Sequence, residues 1–132
     1  MDRFIQKFLL IENTIAQEKG PVDLFALFKI VEIPNRWEVV ISAERLSENN
    51  IKAMEYVTHK IRAVLTQKEM ITISAVILLT ANEPFIEELQ KFLKTNNNSN
   101  VFSEVNIHGV EIKKGYIIKI SLPMMEQSDG VI

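Results

Sequence analysis

Two clusters of polar side chains sit where two apolar runs end. Ser42, Glu44 and Arg45 follow Trp37-Glu38-Val39-Val40-Ile41, and Thr80, Asn82 and Glu83 follow Ile73-Ser74-Ala75-Val76-Ile77-Leu78-Leu79. Two hydroxyls, two carboxylates, a guanidinium and an amide are enough to recognise a small polar ligand. If both runs are strands joined in parallel through a helix, their carboxyl ends share one edge of a sheet, and open sheets of this kind hold ligands in the crevice outside those ends. The same residues also have a purely structural reading, in which Asn82 caps the following helix and Glu44 and Arg45 are solvated loop charges.

Other chemistries find less support. The only histidines are His59 and His108, and neither has a carboxylate at metal-motif spacing. Glu55 and His59 are one helical turn apart and read as a surface pair, while His108 before Gly109 reads as a turn residue. Glu111-Ile112-Lys113 has the alternation of a metal-dependent nuclease strand, with Asp23 as the only upstream Asp near a strand end to complete it. Gly20, Gly109, Gly115 and Gly130 are scattered, which argues against a phosphate-cradling loop. Ser42 and Ser74 lack flanking glycines and an activating base, so no serine nucleophile is expected. Phe25, Phe28 and Trp37 resemble a base-stacking platform, but their apolar neighbours and the sparse Lys29, Arg36 and Lys119 favour core packing. No catalytic residue, metal site or cofactor is expected.

A chain of 132 residues is about one domain and can bury a core without staples. Its composition, 47% hydrophobic and 24% charged, is that of a globular protein. With no cysteine there is no disulfide, thiolate nucleophile or cysteine zinc site, which suits a reducing compartment, and the cytoplasm is the expected location. A net charge of −2 with dispersed Lys and Arg argues against nucleic acid as a partner. Polar residues on every turn of Met1–Lys7 argue against a signal peptide or membrane anchor.

The positioning elements follow from periodicity. Phe4, Phe8, Ile11 and Ile15 define an amphipathic helix over residues 3–18, stopped by Gly20-Pro21. Leu24–Val31 and Trp37–Ala43 read as an antiparallel hairpin. Ser47 is a candidate N-cap for a helix from about Glu48 to Leu65, striped by Ile51, Met54, Val57, Ile61 and Val64. Thr66-Gln67-Lys68-Glu69 has the spacing of a capping box. The run from Ile73 to Thr80 predicts a strand covered on both faces in the interior of the sheet. After it, Pro84 tolerates a first helical turn, and Phe85, Ile86, Leu89, Phe92 and Leu93 form the cleanest stripe in the chain. Thr95–Asn100 is a loop; Val101–Ile107, His108-Gly109 and Val110–Ile112 predict a hairpin, and Gly115 is a candidate bend before Tyr116–Ile120, a further strand or the continuation of one.

The expected architecture is one α/β or α+β domain over residues 1–121 with a C-terminal tail at 122–132. Its order is α-β-β-α-β-α-β-β(-β), and a single mixed sheet of about five strands carries the helices. Leu24-Phe25-Ala26-Leu27-Phe28, Trp37–Ala43 and Val76-Ile77-Leu78-Leu79 together resemble small uncharacterised prokaryotic proteins of similar length, a resemblance that implies no activity, cofactor or site residue. The expected role is a non-catalytic binding or assembly module acting through a homodimer or another protein partner, since apolar edges such as Tyr116–Ile120 and the Met124-Met125 tail call for cover. A small-ligand sensor or enzyme at the strand-end crevice, and a metal-dependent nuclease, are the alternatives.

Overall fold

The computed structural model describes residues 2–33, 35–46, 50–80, 82–97 and 99–121. Helix α1 (Asp2–Lys19) leads into β1 (Val22–Ile30) and β2 (Trp37–Ala43), a 3-10 turn at Glu44–Leu46, and α2 (Asn50–Val64). A short α3 (Gln67–Ile71), β3 (Ile73–Leu78), α4 (Pro84–Thr95), β4 (Val101–Ile107) and β5 (Val110–Ile120) complete the chain. The five strands form one mixed sheet in the order β3-β2-β1-β5-β4, with β2 and β3 parallel and every other pair antiparallel. The fold is therefore α+β, with the element order anticipated from periodicity. The proposed Ser47 cap and the tail 122–132 lie outside the described residues.

Two expectations are corrected. β3 is parallel to β2 as inferred, yet it closes one border of the sheet instead of lying inside it, and all six of its residues are half-buried. Its side chains are apolar because each face has helix-backed neighbours: Ile73, Val76 and Leu78 pack toward α1 and α2, and Ile77 and Leu79 toward α4. Among the described residues, its outer backbone edge carries no strand. Conversely, Tyr116–Ile120 belongs to β5, an interior strand between β1 and β4 that runs through Gly115 without a break.

The two faces are covered unequally. On one, α1 and α2 bring Phe8, Ile11, Ile15, Val57 and Ile61 against Phe25, Leu27, Val39 and Ile41, all essentially fully buried. Each such side chain contributes roughly 1.5–3 kcal/mol through removal from water. Glu18 ties the two helices together, accepting from the Tyr56 hydroxyl at 2.6 Å and pairing with Lys60 at 2.8 Å. α3 starts with the expected capping box, whose Glu69 carboxylate also receives Lys7 of α1 at 2.7 Å. Lys7, and then the Thr66 backbone, hold that carboxyl below its ordinary range.

Among the described residues, the other face has α4 alone, through Ile86, Leu89 and Leu93. Because β3 and β4 lie at opposite borders, the α4 connection must cross the whole sheet. Its contacts agree: the Glu88 carboxylate accepts from the backbone N–H of His108 at one end of the strands, and Gln90 donates to the Ser121 carbonyl at the other.

His108 and Gly109 both have positive φ, 49° and 84°, the pairing that a two-residue turn of type I′ needs to match the twist of β4 and β5. Gly115 answers a different demand, a close approach. A Cβ there would meet Phe102 Cζ at 2.5 Å and Phe28 Cδ1 at 3.1 Å, in a nest of rings where Phe102 also packs on Phe92. Substituting Gly115→Ala is expected to lower stability by about 1–3 kcal/mol through overpacking. Urea unfolding will show this loss, and it should shrink when Phe102→Leu is present in the same chain.

Candidate functional site

The residues singled out at the strand ends fall into two groups. Pairing of β2 with β3, extended by the Leu79 N–H donating to the Ile41 carbonyl at 2.9 Å, sets Ser42 and Thr80 at neighbouring strand ends. Thr80, Asn82 and Glu83 come together in one local turn: the Thr80 hydroxyl bonds Asn82 Oδ1 at 3.0 Å and lies 3.4 Å from Glu83 Oε2. Asn82 does not cap α4, because the N-cap residue is Glu83, which makes no side-chain capping bond; Pro84 holds the first turn as anticipated. The short Asn side chain is engaged by Thr80 instead.

Ser42, Glu44 and Arg45 make up the second group. Ser42 is 1% exposed and its hydroxyl has no hydrogen-bond partner. Glu44 and Arg45 lie exposed on the 3-10 turn, and Glu44 acts electrostatically on Asp23. Burial first, and the Glu44 charge second, push the Asp23 carboxyl up, while Lys119 opposes them. The six residues thus split into a surface turn, a buried serine and an exposed corner.

The nuclease constellation is not assembled. The Glu111 carbonyl accepts from Val31 and the Asp23 carbonyl accepts from Ser121, which places Asp23 and Glu111 at opposite ends of the β1–β5 ladder, about 25 Å apart at the usual strand rise. Among the described residues no three His, Asp or Glu side chains gather as a metal site. No described helix is long and apolar enough to cross a membrane.

A cavity does form, on the α4 face of the sheet. It is a half-open pocket of about 190 Å³ between Phe85 of α4 and the sheet, walled by Phe28 and Ile30 of β1, Val40 of β2, Ile77 and Leu79 on the β3 side, and Val110 of β5. Glu38 is its one ionisable lining residue. Strand alternation puts it there: Trp37, Val39 and Ile41 point to the α1–α2 face, so Glu38 and Val40 point to the other. It sits opposite Phe28 on β1 and Ala75 on β3. Burial first, and the Glu32 charge second, push its carboxyl above the ordinary range.

Two lysines of the neighbouring strands are committed elsewhere. Lys29 places its ammonium 4.7 Å from the Trp37 ring centroid, and Lys114 sits 5.5 Å from that of Tyr116, both rings packing with the α1–α2 core. Among the described residues, no ion pair reaches Glu38. Sequence reasoning passed over this residue. Its signal was a single carboxylate inside an otherwise apolar strand, Trp37-Glu38-Val39-Val40-Ile41.

No protein-family model, curated protein or solved structure matches the chain.

A raised carboxyl means that the folded state holds the Glu38 proton more tightly than the unfolded chain does. Its contribution to stability is present at low pH and is lost as pH rises from the ordinary glutamate value, about 4.3, through the folded-state value. Glu38→Gln is therefore expected to melt higher than the parent at about pH 7, with the advantage vanishing near pH 4 where both side chains are neutral. Thermal unfolding of the two proteins across that range checks it.

Proposed function

We propose that the protein is a non-catalytic assembly module that associates through the outer edge of β3, which no described strand covers, with a second copy of the chain as its partner. The observation that carries this reading is the contrast between the two borders of the sheet. β4 is guarded: Glu104 has a φ of 56° and drops out of the ladder between Ser103↔Lys114 and Val105↔Ile112, so this border carries both a charge and an irregular backbone. β3, Ile73-Ser74-Ala75-Val76-Ile77-Leu78, has no charge and no proline. Edges of that kind are templates for strand addition unless something covers them.

A second copy fits the geometry well. A two-fold axis normal to the sheet would pair β3 with β3 antiparallel, continue five strands into ten, and keep each helix layer on its own side. A chain without cysteine and with dispersed charge suits such a role in the cytoplasm.

The Leu79 N–H points to β2, so by alternation those of Ile77 and Ala75 do the same, while those of Val76 and Leu78 point outward. Val76→Pro thus removes a donor that the β2 ladder does not use, at a position where an edge strand tolerates proline. Sedimentation of the parent is expected to show a mass that moves toward two chains over micromolar to millimolar concentration. The V76P protein should remain a single chain with unchanged far-ultraviolet circular dichroism. A parent that stays monomeric throughout, or a V76P protein that dimerises equally well, overturns the reading.

A further inference from the structure

We propose that the cavity between Phe85 and the sheet binds a small organic cation, in which a single aromatic ring or branched aliphatic body carries a protonated primary amine. The apolar part of the ligand would occupy the space walled by Phe28, Val40, Ile77, Leu79 and Phe85. A cavity of roughly 150 Å³ accepts benzene. One of about 190 Å³ therefore has room for a ring with a short side chain.

Charge decides the other end of the ligand. Glu38 lines the cavity, Glu32 is close enough to act on it, and neither is in an ion pair among the described residues. The lysines of the neighbouring strands, Lys29 and Lys114, lie on the opposite layer, stacked on Trp37 and Tyr116, and do not neutralise this patch. A half-buried carboxylate without a partner is unfavourable beside apolar walls, and an ammonium brought by a ligand supplies the missing charge and up to three N–H donors. An anionic ligand meets repulsion at the same place, and a neutral one leaves the carboxylate unmatched. The site uses side chains on the α4 face, whereas strand addition uses the outer backbone of β3, so either can fail without the other.

The test compares 2-phenylethylamine with its neutral analogue 2-phenylethanol and its anionic analogue phenylacetate, followed by methyl resonances of Val40, Ile77, Leu79 and Val110. The amine is expected to shift these methyls saturably at or below about 1 mM, the alcohol to bind at least tenfold more weakly, and phenylacetate not at all. Glu38→Gln should weaken the amine at least tenfold while leaving the alcohol unchanged. Glu55→Gln, on the exposed side of α2, should change neither. Ile77→Phe, which fills the space, should abolish both, with its fold verified by the methyl spectrum of the α1–α2 core. Equal binding of amine and alcohol, undiminished amine binding by E38Q, or an absence of shifts up to about 10 mM overturns the proposal.

Discussion

One connection constrains the whole molecule: the segment that leaves β3 at one border of the sheet must reach β4 at the other. Four inter-strand spacings amount to about 19 Å. A twelve-residue helix such as α4 spans about 18 Å. The helix is thus long enough to bridge the strands when it lies across them, and a helix aligned with them would leave the rest of the distance to irregular chain. Glu88 and Gln90, gripping opposite ends of the strands, are the side chains expected of a helix in that attitude.

A crossing helix covers a band rather than a face. The α1–α2 side, with two long helices, seals its core and is further pinned by Glu18 and Glu69, each joining two elements. The α4 side gains Ile86, Leu89 and Leu93 over β1 and β5, together with an aromatic run from Phe85 through Phe28 and Phe102 to Phe92. What lies beside the band is left half-covered, and the cavity sits there. Both the cavity and the β3 border follow from the sheet order, since the strand that α4 departs from is also the strand with no outer neighbour among the described residues.

Most of the local structure was legible in the sequence because it is written in side chains. The stripe of α4, the capping box at Thr66–Glu69, the turn at His108-Gly109 and the β2–α2–β3 parallel unit all depend on residues whose chemistry is local or periodic. The border position of β3 was not legible, for a definite reason. Apolarity along a strand records what lies above and below it, and Ile73–Leu78 has helix-backed packing on both faces. Whether a strand has a neighbour on each side is a matter of backbone hydrogen bonding, which leaves no mark on hydropathy. Gly115 was ambiguous for a similar reason: a glycine within a strand announces a bend or a close approach, and only the Phe102 ring decides between them. The strand-end cluster illustrates the converse limit, since spacing brought Thr80, Asn82 and Glu83 together but could not say that Ser42 turns inward while Glu44 faces Asp23.

Where local choices in a folded chain work against its stability, function is the usual reason. Two such choices stand out, and simple alternatives exist for each. One lysine among residues 73–78 would guard the β3 border as Glu104 guards the β4 border, and any apolar residue in place of Glu38 would remove a desolvated charge from the sheet. Nor is the chain short of cations on this part of the sheet: Lys29 neighbours Phe28, the direct partner of Glu38, yet its ammonium is given to Trp37 on the far side. The carboxylate is kept apolar-walled and unpaired by the alternation of β1 and β2 themselves, because no rotation of either strand could bring Lys29 to Glu38 without turning Phe25, Leu27, Val39 and Ile41 out of the core. The packing that stabilises one face therefore fixes the unmatched charge on the other, and that coupling makes Glu38 a feature of the fold rather than an incidental surface residue.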